Sequence, residues 1–126
     1  MSRLYRMLAL IDVDAVLPEK DQDFWKDVLA RCTERPAEVL DGTETECPET
    51  AEAYVRQDGV TRFCCELEIT LCGGYSDEEY AEDFRRALHL LTKDAVPDFK
   101  VSLNCYYLEH DPDIEVEYSR QELVAA

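Results

Sequence analysis

Two carboxylates, Asp12 and Asp14, stand two residues apart at the end of the apolar run from Leu4 to Val13. Oxygen donors at that spacing suit a hard cation such as Mg²⁺, and a metal held there could support phosphoryl transfer or nucleic-acid hydrolysis. Such a site also needs further carboxylates, or lysines to receive phosphate, and no pattern elsewhere in the chain supplies them. The plainer expectation is that both aspartates end a strand and hydrate the loop that follows. The six cysteines, Cys32, Cys47, Cys64, Cys65, Cys72 and Cys105, contain no CxxC spacing, and His89 and His110 are isolated. Neither a zinc site nor a disulfide framework is expected from them. No cysteine falls at the start of a helical pattern, where its pKa would drop enough for nucleophilic work. Gly73-Gly74 precedes a helix start, but Asp77, Glu78 and Glu79 occupy that positive end and would repel a phosphate. The residues therefore predict no catalytic group, no cofactor and no bound metal.

The stretch Leu10-Ile11-Asp12-Val13-Asp14-Ala15-Val16-Leu17 resembles the first motif of haloacid-dehalogenase-like phosphatases. The resemblance implies Asp12 as a nucleophile on a parallel, Rossmann-like sheet, with a downstream lysine and a further acidic pair. Hairpin patterns stand here where those elements belong. The placement of Asp12 and Asp14 is also similar to that of the metal ligands in palm-type polymerases, cyclases and small nucleases on a ferredoxin-like sheet. A metal-dependent phosphotransferase or nuclease using Asp12 and Asp14 is thus the enzymatic alternative.

Charge points elsewhere. Twenty-nine acids against thirteen bases leave a net charge of −16 over 126 residues. That exceeds the magnitude of about 2 to 8 that solubility alone asks of a small domain. Such a field repels nucleic acid and anionic membrane and attracts basic surfaces within about a Debye length. Apolar residues at 46% fit a globular chain of one domain, 1–126. No apolar run approaches the roughly 20 residues of a membrane helix. The N-terminal run meets Asp12 and Asp14 too soon for a signal peptide, so a cytoplasmic location is expected.

The elements that position these groups follow from periodicity. Tyr5, Met7, Ala9, Ile11 and Val13 form one face of a first strand, and apolar Leu4, Leu8 and Leu10 on the other suggest a central position. Pro18 opens a helix whose Phe24, Trp25, Val28, Leu29 and Cys32 should face the core. From Thr33 to Glu49 the pattern fails, and an acidic loop is expected, with room for a short strand at Ala37–Leu40. Ala51–Gln57 and Val60–Cys72 read as a hairpin turning at Asp58-Gly59, which would set Tyr54 opposite Phe63. Ser76 and Glu79 form a capping box for a helix carrying Tyr80, Ala81, Phe84, Ala87, Leu88 and Leu91 on one stripe. Strands at Phe99–Leu108 and Ile114–Tyr118 complete the order β-α-β-β-α-β plus one. That is the ferredoxin-like α+β arrangement: two helices on one face of an antiparallel sheet, with an extra C-terminal strand.

In this arrangement Glu109, Asp111, Asp113, Glu115 and Glu117 fall at every second position with no base between them. Extended, successive carboxylates would lie about 6.5 to 7 Å apart, of the order of phosphate spacing along a nucleic-acid strand, though Pro112 should bend the row. Glu66 and Glu68 on the outward face of the hairpin add to the cluster. Leu4, Leu8, Leu10, Tyr106 and Leu108 make a mixed apolar patch on the helix-free face, which suggests a protein interface, with a homodimer as its simplest form. The expected function is non-enzymatic: an inhibitor or adaptor whose acids occupy a basic, nucleic-acid-binding surface on another protein. In size, charge and compactness the chain is similar to small acidic DNA mimics of the anti-CRISPR and anti-restriction kind. The remaining alternative is a homo-oligomeric domain whose acidity is incidental, as in a salt-loving organism.

Overall fold

The computed structural model describes residues 3–43, 52–55, 63–73, 77–95, 97–107, 114–119 and 122–123. Among the described residues, five strands and three helices occur in the order β1 (Arg3–Val13), α1 (Glu19–Glu34), α2 (Pro36–Asp41), β2 (Glu52–Val55), β3 (Phe63–Gly73), α3 (Asp77–Thr92), β4 (Phe99–Tyr107) and β5 (Ile114–Ser119). The strands form one sheet in the order β2-β3-β1-β4-β5, and every neighbouring pair is antiparallel. The architecture is α+β.

β1 is central, as its two-sided apolar pattern requires. Its odd-numbered residues Met7, Ala9, Ile11 and Val13 are buried. They join Phe63, Cys65 and Leu67 of β3 and Phe99, Val101, Leu103 and Cys105 of β4 in one core cluster. α1 closes this core with Trp25, Val28, Leu29 and Cys32, and α3 closes it with Tyr80, Ala81, Phe84, Ala87 and Leu88. Ala9 sits in register with Leu67 on one side and Leu103 on the other, so a small side chain separates two large ones in one row. Trp25 packs against Phe99 with ring centroids 5.1 Å apart. Two hydroxyls in the helical layer bond locally or across helices. Thr33 Oγ1 donates to the Leu29 carbonyl at 2.6 Å, and the buried Tyr80 hydroxyl donates to the Thr33 carbonyl.

Four sequence expectations need correction. The stretch from Thr33 to Asp41 is not a loop, and Ala37–Leu40 is not a strand. α1 continues to Glu34, and α2 follows after the single non-helical residue Arg35. Pro36 does not break this helix because it stands at its first position, where a missing N–H costs nothing. Gly42 ends it in the left-handed region, φ 76°. There the bonds Thr43 N–H to Glu38 carbonyl (3.0 Å) and Gly42 N–H to Val39 carbonyl (3.2 Å) complete a Schellman motif. Phe24 is 44% exposed rather than buried, because the inward stripe of α1 runs through Trp25, Val28 and Leu29. Tyr54 pairs with Cys64, and Val55 is the residue opposite Phe63. This register leaves an odd number of residues between the strands, which a two-residue turn does not give. Asp58-Gly59 itself lies outside the described residues, as do Ser76 and the rest of the 44–51 segment.

Arg85 is the fourth correction. It stands outside the apolar stripe of Tyr80, Ala81, Phe84, Ala87, Leu88 and Leu91, among the charged residues Glu82, Asp83 and Arg86 that periodicity turns to water, yet it is only 9% exposed. The chain beyond β5 returns over α3 and buries Leu123 in the core cluster at 1% exposure. Arg85 Nη1 donates to the Leu123 carbonyl at 2.6 Å, and its other donors hold Glu82. That bonding keeps the Glu82 carboxyl below its usual range and raises Arg85 above its own. Leu123→Ala should therefore destabilise the fold by about 2 to 5 kcal/mol in urea unfolding, as for other buried leucines. A loss below about 0.5 kcal/mol, the size of a surface substitution, would contradict the docked position of this segment.

Candidate functional site

Because side chains alternate across a strand, burying the odd residues of β1 turns its even residues to the opposite face of the sheet. Leu8 and Leu10 lie there half-buried, and neither belongs to the core cluster. Their row partners define the surface. Glu66 of β3, Leu10, Ser102 of β4 and Glu117 of β5 stand in one row across the sheet. Glu68, Leu8, Asn104 and Glu115 stand in the next. All four glutamates are exposed. Strands repeat at about 4.7 to 4.9 Å, so Glu66/Glu68 and Glu115/Glu117 form two rails about 14 Å apart. Along each rail the carboxylates are about 6.5 to 7 Å apart.

The following row brings Arg6 opposite Tyr106. The Arg6 guanidinium lies 4.6 Å from the Tyr106 ring centroid and 3.6 Å from a Glu68 oxygen. Both members of that ion pair are about half exposed, which makes it weak. Among the described residues, Glu66, Glu115 and Glu117 take part in no ion pair. The helical layer differs. There Asp23 pairs with Lys26, Asp27 with Arg31, Glu38 with Arg35, Glu82 with Arg85 and Asp83 with Arg86, at helical spacings of three or four. The helices are acidic but internally compensated at these positions. On the sheet face Arg6 meets Glu68, and Glu66, Glu115 and Glu117 take part in no ion pair among the described residues.

Of the acidic residues singled out from the sequence, the structure brings Glu66, Glu68, Glu115 and Glu117 onto one face. Glu109, Asp111 and Asp113, like Leu108, lie outside the described residues. Arg6 was not among the expected site residues. It lies four residues from Leu10 in sequence, and only the strand register puts it beside Glu68 and Tyr106.

The Asp12 carboxylate lies on the same face, one row beyond Leu10, between Cys64 of β3 and Lys100 of β4. Cys64 is fully buried and its Sγ donates to Asp12 Oδ1 at 3.5 Å. Asp14 is exposed past the end of β1, and its backbone N–H donates to the Asp98 carbonyl at 2.8 Å. Among the described residues, no group of three or more His, Cys, Asp or Glu side chains is placed to hold a metal ion. Cys32, Cys64, Cys65 and Cys105 are buried free thiols, and His89 is half-buried on α3. His110 and Cys47 lie outside the described residues. Nor is any described helix long and apolar enough to cross a membrane.

Compared with protein-family models, with curated proteins and with solved structures, the chain matches none. Any functional assignment therefore rests on the geometry of these surfaces.

The thiols yield a direct test of the core. Burial, reinforced by the adjacent Cys64, pushes the Cys65 thiol up to about 12. In the unfolded chain it would ionise near 8.5 to 9. Between those values the unfolded state binds fewer protons than the folded one, so stability is full below about pH 8.5 and falls as pH rises. A denaturation series from pH 8 to 11 should show this loss, with a smaller slope in Cys65→Ala. An identical slope in the two proteins would place Cys65 in water.

Proposed function

We propose that the protein is a non-enzymatic binding protein, an inhibitor or adaptor whose acidic sheet face occupies a basic, nucleic-acid-binding surface on a partner protein. The observation that carries this reading is the contrast between the two layers. On the helices Asp23, Asp27, Glu38, Glu82 and Asp83 each pair with a lysine or arginine three or four residues away, whereas Glu66, Glu115 and Glu117 face outward with no ion-pair partner among the described residues. Exposed, unbalanced like charges on one rigid face destabilise a free protein slightly and gain by meeting cations. The spacing along each rail, close to that of successive phosphates, supports a surface that ordinarily grips a nucleic-acid backbone as the target. The net charge of −16 would steer the encounter.

We also infer that the fold is the ferredoxin-like one, with α2 inserted after α1 and β5 added beside β4. The sheet order β2-β3-β1-β4 and its antiparallel pairing support that assignment. It would set both layers of the protein in a single domain. A cytoplasmic setting suits the buried free thiols.

The test is capture from lysate of the native host at low salt, with duplex DNA as competitor. The expected catch is a nucleic-acid-binding protein that DNA displaces and that added salt releases. A variant carrying Glu66→Gln, Glu68→Gln, Glu115→Gln and Glu117→Gln should lose about tenfold or more in affinity, the sum of four partly screened pairs. Unchanged binding of this variant at low salt would remove the sheet face from the interaction. The metal-dependent reading is addressed separately by titrating Mg²⁺ or Mn²⁺ into the protein. A binding isotherm lost in Asp12→Asn would favour phosphotransfer chemistry over the present proposal.

A further inference from the structure

The open face has a shape as well as a charge, and the two together specify what would cover it. Its floor is Leu8 and Leu10 of β1, Ser102 and Asn104 of β4, and the ring of Tyr106 at one end. Leu8, Leu10, Ser102, Asn104 and Tyr106 are all half-buried, so the floor is shallow and partly apolar. The glutamate rails stand on the two strands outside it, β3 and β5. The channel between the rails is about 14 Å wide and runs parallel to the strands.

A second copy of this chain does not fit that channel. Among the described residues, Glu66, Glu68, Glu115, Glu117 and Asp12 share the face with two bases, Arg6 and Lys100. A two-fold pairing would set this excess of carboxylate against its own image. Duplex nucleic acid is repelled for the same reason. An extended segment would add to a sheet edge, where free backbone groups lie, and not to a face.

The geometry points to a basic, amphipathic α-helix of the partner protein as the occupant, lying along β1 and β4 between the two rails. This inference rests on the acidic-face reading above and deepens it by naming the element that is bound. A helix is about 10 to 12 Å across with its side chains, which fits the channel width. Residues i and i+4 on one helix flank rise about 6 Å, close to the 6.5 to 7 Å between Glu66 and Glu68 or between Glu115 and Glu117. Arginines or lysines at that spacing on both flanks would meet all four carboxylates, while the apolar stripe between them rests on Leu8 and Leu10. The sheet would then be covered on both faces, the layering that buries the most apolar surface from a single sheet. The partner's helix would be one that otherwise lies against phosphates, since the same basic flanks serve both ligands.

Two synthetic peptides of equal length and charge test this. One is an alanine-containing helix of about 20 residues, beyond the length at which isolated helices are marginal, with arginines at i, i+4 on both flanks of a leucine stripe. The other has the same residues scrambled, with prolines that forbid a helix in place of two alanines. Fluorescence anisotropy at low salt reads affinity, and amide shifts of Leu8, Leu10, Ser102 and Asn104 report position. The helix should bind at least about tenfold tighter than its scrambled partner, shift those amides, and weaken with Glu66→Gln/Glu117→Gln and separately with Leu10→Ser. The exposed glutamine changes leave the core untouched, so loss of binding there is not loss of fold. Equal binding of both peptides would overturn the helix inference while leaving the acidic face as the binding surface. If neither peptide binds and the lysate capture also fails, the acidic-face reading itself falls. Binding that ignores the glutamine changes, or a dimer whose amide shifts map to this face, would overturn the placement.

Discussion

Along β1, Met7, Ala9, Ile11 and Val13 turn into the core beneath α1 and α3, and the residues between them are thereby committed to the other side of the sheet. Period-two alternation on a central strand is the constraint from which the rest of the molecule follows. It fixes which residues of β3 and β4 are buried, because antiparallel partners in one row share a face. It also fixes the row order on the open side. Arg6, Leu8, Leu10 and Asp12 each select a partner from β3 and from β4, and β4 then selects those of β5. A slip of one residue would bury glutamates and expose the core. Register here determines both stability and surface chemistry.

Charge is handled differently by the two layers. On helices, acids and bases three or four residues apart meet without any tertiary structure, and α1 and α3 use that proximity. On the sheet, compensation would need bases on neighbouring strands in the same rows. The rows of Glu66 and Glu68 hold leucine, serine, asparagine and three more glutamates, Glu52, Glu115 and Glu117, instead. Strand pairing gathers Glu66, Glu68, Glu115 and Glu117 on the side that no described helix covers.

Much of this was legible in the sequence. The strand order of chemistry along β1, the α3 stripe from Tyr80 to Leu91 and the outward placing of Glu66, Glu68, Glu115 and Glu117 all follow from local periodicity. What was not legible depends on contacts distant in sequence or on competing local signals. Pro36 and Gly42 read as loop residues, yet each occupies the helix position that suits it, so α2 was missed. Arg85 sits on a polar stripe, and only the return of the chain to dock Leu123 makes it a buried donor. Cys64 alternates with exposed glutamates but is fully buried beside Asp12. The pairing of Arg6 with Glu68 and Tyr106 needed the register of three strands at once.

The central claim is that the sheet face, and not the acidic helices, meets the basic partner. Zero-length carboxyl-to-amine cross-linking of the captured complex, read by mass spectrometry, tests it most directly. The account predicts links from Glu66, Glu68, Glu115 and Glu117 to lysines of the partner. Links confined to helix acids such as Glu19, Asp23, Asp27 and Glu78 would contradict it.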